Sequence, residues 1–219
     1  MKKRRYDLIA FDWDGTLFDS TTLIVRCIQA ACRDIGVPEP SNEAAAYVIG
    51  LGLHDALQHA APGLPPERYP ELGQHYRQHY WASQHELVLF PGTLEMLQAL
   101  KERHHFLAVA TGKNRRGLDD ALKQSELAGL FDATRTADET AGKPDPLMLN
   151  LLMREFGADP RRTLMIGDTT HDLQLAANAG TASISVSYGA HDPETFAALQ
   201  PLFVAHDTRA LHDWLLAHG

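Results

Sequence analysis

Asp12-Trp13-Asp14-Gly15-Thr16-Leu17 follows directly on the apolar run Leu8-Ile9-Ala10-Phe11. That run reads as the buried part of a strand over Tyr6 to Phe11. If the strand continued, period-two alternation would aim Asp12 and Asp14 the same way. Gly15 and Thr16 break it and release the chain into a turn. Two acids at the mouth of a sheet repel each other unless a cation or a shared proton offsets their charge. An acidic turn is the bland account of such a pair. One carboxylate that attacks, another that moves protons, and a metal between protein and substrate is the chemical one.

Composition narrows the field. The chain has 219 residues, enough for one domain or one domain with an insert. Apolar residues make up 44%, and 20 basic against 28 acidic residues leave a net charge of −8. That balance argues against a nucleic-acid surface, which needs clustered Lys and Arg. No apolar run approaches the roughly 20 residues that span a bilayer. Met1-Lys2-Lys3-Arg4-Arg5 reads as a solvated lead-in, because no long apolar stretch or cleavage pattern follows it. Cys27 and Cys32 lie on different faces of one helix and give neither a disulfide framework nor a zinc spacing. A reducing cytoplasm is expected, with no membrane or nucleic-acid partner, and a monomer or a homodimer is compatible.

Along the chain, Leu23, Cys27, Ala30, Ala31 and Ile35 recur at helical spacing from Ser20 to Ile35, with Gly36 as the stop. Helices are expected over Asn42 to Ile49, Leu53 to Ala61 and Pro66 to His85, with no convincing strand from 41 to 87. Alternation returns afterwards. A helix begins near Pro91-Gly92-Thr93, Phe106 to Ala110 is a strand, and a helix follows over Arg115 to Ser125. Then come Ala133 to Thr136 (strand), Pro146 to Phe156 (helix), Thr163 to Ile166 (strand) and Asp172 to Ala179 (helix). Ala182 to Val186 and Leu202 to Ala205 are strands, and Arg209 to Ala217 is the last helix. Alternating strands and helices predict an α/β fold with a parallel sheet covered on both faces, interrupted by a small helical bundle.

Parallel sheets bind ligands beyond the carboxyl ends of their strands. Polar groups from four remote stretches are expected there: Asp12 and Asp14, Thr111-Gly112-Lys113, Gly142-Lys143-Pro144, and Gly167-Asp168-Thr169-Thr170-His171-Asp172. A carboxylate can attack phosphorus, and Asp12 has that part. Mg²⁺ offsets the charge of an anionic nucleophile and an anionic ester, with Asp12 and Asp168 as carboxylate donors. Asp14 can protonate the departing alkoxide and later activate water. The Thr111 hydroxyl and the Gly112 amide can bond phosphate oxygens, and Lys143 adds fixed positive charge.

In this order the four stretches resemble the four signatures of the haloacid dehalogenase-like hydrolases. The resemblance covers nearly the whole chain. It implies a Rossmann-like core over 1–16 and 88–219 with an inserted helical cap over 17–87. It also implies that the Asp14 carbonyl and Asp172 take part in holding the metal. Asp19-Ser20, Phe90-Pro91-Gly92 and Gly167-Asp168-Thr169 are similar to the phosphoglycolate-phosphatase-like subgroup, which often has Asn where Gly112 stands. Family dehalogenases attack carbon, need no metal and lack the Asp14 equivalent, so Asp14, Asp168 and Asp172 favour phosphorus.

Other residues read less sharply. Asp172 could be a helix-start carboxylate favoured by the dipole. His75 and His79 have a metal-compatible spacing but no evident third ligand. His54 and His59 read as surface residues, Arg115 and Arg116 as solvated, and Gly50-Leu51-Gly52 as a cap loop facing the site. The expectation is a Mg²⁺-dependent phosphatase acting on a small phosphorylated metabolite, phosphoglycolate first. The rivals are a sugar phosphomutase on the same scaffold and a non-catalytic binding protein that keeps the site.

Overall fold

In the computed structural model, which describes residues 4–219, β1 (Leu8–Phe11) is the centre of the sheet. The expected lead-in over Met1 to Lys3 lies outside the described residues. Strand β1 pairs in parallel with β4 (Phe106–Thr111) on one side and β6 (Thr163–Gly167) on the other. Beyond β4 lies β5 (Ala133–Thr136); beyond β6 lie β7 (Ala182–Val186) and β8 (Val204–Ala205). The sheet order is β5-β4-β1-β6-β7-β8, so the chain runs outward through β4 and β5, then crosses back over β1 to β6. That reversal opens a crevice at the carboxyl ends of β1, β4 and β6.

Alternation decides which face each residue covers. Ile9 and Phe11 pack on one side of the sheet with Met96, Leu97 and Leu100 of α5 (Thr93–Glu102) and Leu211 and Leu215 of α9 (Thr208–His218). Leu8 and Ala10 pack on the other, against Met148, Leu149 and Leu152 of α7 (Leu147–Phe156) and Leu175 and Ala176 of α8 (Thr170–Ala179). Each fully buried leucine of this kind is worth about 2 kcal/mol of transfer free energy. Helix α6 (Arg115–Gln124) adds Leu118 to the first of these clusters.

The insert has a core of its own. Helices α1 (Thr21–Asp34), α2 (Asn42–Tyr47), α3 (Leu53–Ala60) and α4 (Tyr69–Ser83) bury Ile28, Ala45, Leu57 and Leu72 together, apart from the sheet's clusters. The long helix expected from Pro66 is divided: Pro66–Arg68 and Gln84–Glu86 are 3-10 turns flanking α4. Two short strands were not expected. β2 (Phe18–Asp19) and β3 (Val88–Leu89) pair antiparallel, Phe18 opposite Leu89. Two residues per strand carry no readable period, which is why the pattern does not show them. The 3-10 segment Pro193–Leu199, anchored by buried Phe196, is likewise unforeseen. The first strand begins at Leu8 rather than Tyr6, although Tyr6 is buried.

Buried His105 donates from Nδ1 to the Tyr6 carbonyl (2.9 Å). Burial holds its pKa down at about 4, against an ordinary 6.5. The unfolded chain therefore binds this proton first as pH falls. The contribution is complete above pH 6.5 and is lost as pH drops towards 4. About 2–3 kcal/mol of stability should go in that window. Urea unfolding at pH 7 and pH 4.5 should show a shallower acid loss for His105→Asn than for the parent.

Candidate active site

Strand β1 ends at Phe11, and the Asp12 amide donates to the Ile166 carbonyl (2.9 Å), which seats Asp12 between the ends of β1 and β6. Trp13 is buried and stacks on Phe18 (centroids 4.8 Å apart), pinning the following turn to the core. Gly15 has φ +77°, and a Cβ there would collide with the Asp168 carboxylate, so the turn needs glycine twice over. The chain then doubles back, with the Gly15 amide donating to the Phe18 carbonyl (2.9 Å). Both acids face one cavity although neither lies in a strand.

Lys143 reaches this point from the segment before α7. Its Nζ bonds Asp12 Oδ1 and Asp172 Oδ1, each at 2.6 Å, with all three side chains buried. Burial alone would lower its pKa, but Asp12 and Asp172 hold it above the ordinary lysine value. Asp168 accepts from Thr16 Oγ1 (2.8 Å) and from the Ala190 amide (2.7 Å). Asp172 is also the helix-start carboxylate. Its Oδ2 accepts from the Thr169 amide (3.1 Å) and hydroxyl (2.6 Å), closing a capping box on α8. Asp172 thus gives one oxygen to the helix start and the other to Lys143.

Asp12, Asp168 and Asp172 each offer an oxygen within 4.8 Å of the others. Burial, with mutual repulsion added, pushes the pKa values of Asp12 and Asp168 up. Asp12 Oδ2 is buried with no hydrogen-bond partner among the described residues. A lone pair left over in a cluster of three acids is what a cation would satisfy, and hard oxygen donors suit Mg²⁺.

Thr111, the last residue of β4, is buried, and its Oγ1 accepts from the Lys113 amide (3.2 Å). Gly112 adjoins it, and a Cβ there would collide with the Gly50 and Leu51 carbonyls. This close approach gives the physical reason for glycine where the subgroup often has asparagine. It also brings Gly50 and Leu51 of the expected cap loop onto the cavity, while Gly52 lies off it.

Several participants were missed. Lys113 Nζ lies 3.0 Å from Asp14 Oδ2 and donates to the Tyr80 hydroxyl of α4 (2.8 Å). Burial opposes its charge, but Asp14 and the tyrosines raise its pKa. Asp14 Oδ1 accepts from Ser20 Oγ (2.9 Å). Gly189 leaves no room for a Cβ beside Asp168, and the next residue, Ala190, supplies the amide bond to it. His171 and His191 both donate from Nε2 to the Tyr47 carbonyl (2.8 and 2.9 Å) at the end of α2. The Thr170 amide donates to His191 Nδ1 (3.0 Å), which leaves the His191 proton on Nε2. Lys113 and His171 stand inside the quoted signatures and could have been weighed. Ser20 was quoted only for its subgroup likeness, and Gly189 and His191 carry no signal of their own.

The weaker readings resolve differently. His75 and His79 do have an acidic neighbour: both contact Asp34 Oδ2 (3.0 and 2.7 Å), stitching α4 to α1 outside the cavity. His54 and His59 are exposed. Arg116 is solvated, but Arg115 is not: it is half-buried, bonded to Asp119 (3.1 Å) and Thr134 (2.8 Å). Helix position alone could not tell these neighbours apart.

Known proteins bear on this geometry. The haloacid dehalogenase-like hydrolase family profile matches residues 9–186. A Dickeya dadantii protein named "Probable phosphatase IndB" is 37% identical over 199 residues, covering 89% of this chain and 86% of that one. The phosphoglycolate phosphatase of Aliivibrio fischeri is 32% identical over 213 residues, covering 93% and 94%. The crystal structure of a predicted phosphoglycolate phosphatase from Haemophilus somnus superposes with a TM-score of 0.85 at 27% identity, covering 97% of each chain. With its four signatures gathered on one crevice and its family profile matched over most of its length, the chain belongs to the haloacid dehalogenase-like hydrolases.

Proposed function

We propose that this chain is a Mg²⁺-dependent phosphatase that hydrolyses small phosphomonoesters through an aspartyl-phosphate on Asp12. The observation that carries the reading is the buried, unpartnered Oδ2 of Asp12, whose other oxygen is tied to Lys143. One oxygen is held, and the other stands open to cation and phosphate alike. The phosphatase names of the relatives support the same activity, and phosphoglycolate is the first ester to assay.

In the first step Asp12 attacks phosphorus and the ester P–O bond breaks. Asp14 gives its proton to the departing alkoxide. In the second step Asp14 takes a proton from water, the water cleaves the acyl phosphate, and inorganic phosphate leaves with Asp12 restored. Lys143 keeps Asp12 oriented and offsets charge; the Thr111 hydroxyl and the Gly112 amide bind phosphate oxygens. Asp12, Asp168 and Asp172, with the Asp14 carbonyl, would hold Mg²⁺, which supplies charge neutralisation for the anionic ester. Residues 17–87 act as the cap and residues 1–16 and 88–219 as the core, with closure excluding bulk water. Two free buried cysteines fit a reducing cytoplasm. No helix among the described residues is long and apolar enough to cross a membrane.

Phosphate release from p-nitrophenyl phosphate in Mg²⁺, lost in chelator, is the test. No turnover would favour a binding protein, and isomerised sugar phosphate without free phosphate would favour a mutase. Lys113 positions Asp14, and this has its own signature. Lys113→Met should slow an alkyl phosphate about 10- to 100-fold. Compared by kcat/KM, which stops at the aspartyl-phosphate and excludes the shared water step, p-nitrophenyl phosphate should be slowed far less, since p-nitrophenolate leaves without needing a proton. Equal losses on both esters would show a structural defect instead.

A further inference from the structure

Above Asp12 and Asp14 lies a cavity of about 310 Å³ between α1, α3 and α4 of the insert and the start of α6. It lies at the lower end of the roughly 300–1,000 Å³ typical of small-molecule sites. Its floor is polar and its walls are not. Ile24 and Ile28 of α1, Leu53 and Leu57 of α3, and Tyr76 and Tyr80 of α4 face it. The Tyr80 hydroxyl already serves Lys113.

Two of the three cations around the cavity have other engagements. Lys113 is held between Asp14 and Tyr80. Arg116 stands at the rim, its side chain 81% exposed, near Asp120 (4.0 Å) and over the Trp81 ring. Arg77 also lines the cavity, its guanidinium near Gly73 and Leu57, and among the described residues it makes no ion pair. Away from Arg77, a hydroxyl or a carboxylate carried up from the phosphate would leave water for a largely apolar wall. An aliphatic or aromatic group would be welcomed by the same wall.

Resting on the phosphatase reading, we infer that the leaving-group cavity takes a predominantly apolar alcohol, so that the preferred substrates are phosphomonoesters of such alcohols. The phosphate sits on the polar floor and the alcohol against α1, α3 and α4. The reaction is unchanged: the ester P–O bond breaks, the alcohol leaves with the proton from Asp14, and water delivers the phosphate.

The test is a series of n-alkyl phosphates from ethyl to hexyl, assayed by phosphate release in Mg²⁺ beside glycerol 3-phosphate and phosphoglycolate. Leaving-group acidity barely changes along the series, so a trend reports burial rather than chemistry. We expect kcat/KM to rise about threefold per methylene until the cavity fills. Hexyl phosphate should exceed both polar esters at least about tenfold. Leu53→Gln should flatten the series. A flat or falling series, or a preference for phosphoglycolate or glycerol 3-phosphate, overturns the inference and would point to Arg77 as an anion partner. Absence of turnover on every ester has a different signature: the phosphatase reading itself fails, and the inference with it.

Discussion

Asp12→Asn should abolish turnover, with kcat falling on the order of 10⁴-fold or more, because a carboxamide cannot form the acyl phosphate. Acid quenching during turnover should trap alkali-labile phosphate on the parent protein and none on the variant. The same substitution should raise the melting temperature in metal-free buffer. Asp12 sits buried beside Asp168 and Asp172, and its charge opposes theirs. Removing one charge from a site built for a cation relieves strain that the folded chain otherwise carries. Residual turnover within tenfold of the parent would remove Asp12 from the nucleophile's place.

Lys143→Met should be the most damaging change to stability. Lys143 is buried between two carboxylates at 2.6 Å, so its loss leaves Asp12 and Asp172 facing each other without a counter-charge. Breaking a buried pair by removing one partner costs about 3–5 kcal/mol. Urea unfolding in metal-free buffer should show that loss, and it should be smaller in acid, where protonation of Asp12 relieves it. Addition of Mg²⁺ should recover part of it, since a cation can take over some of the ammonium's electrostatic work. An unchanged unfolding midpoint would mean that the ion pairs contribute nothing net. Activity should fall as well, because Asp12 loses the group that orients it.

These effects are large because residues from four remote stretches meet, and that meeting was legible in the sequence. Asp12, Thr111 and Asp168 each follow or end an apolar strand, and parallel strands present their carboxyl ends together. Lys143 follows no strand, and only its company in the signature order suggested it. The alternation of strands and helices likewise gave the sheet, because Ile9 and Phe11 must part from Leu8 and Ala10. What stayed hidden depends on distance rather than period. Asp34 meets His75 and His79 across two helices, and the Tyr47 carbonyl meets two histidines far along the chain, one at the start of α8 and one in a loop. No spacing rule encodes such encounters. Gly112 stood out as a departure from the subgroup, and only the neighbouring carbonyls explain it.

The two-residue ribbon of β2 and β3 has a wider implication. It sets the segment leaving the turn after Asp12 beside the segment returning to α5, Phe18 opposite Leu89. A stretch whose two ends already touch can lengthen, shorten or exchange its contents without dragging on its surroundings. Selection can therefore rewrite what the enclosure admits while the machinery beneath it is inherited intact. Diversity among relatives should accumulate above that junction, and sameness below it.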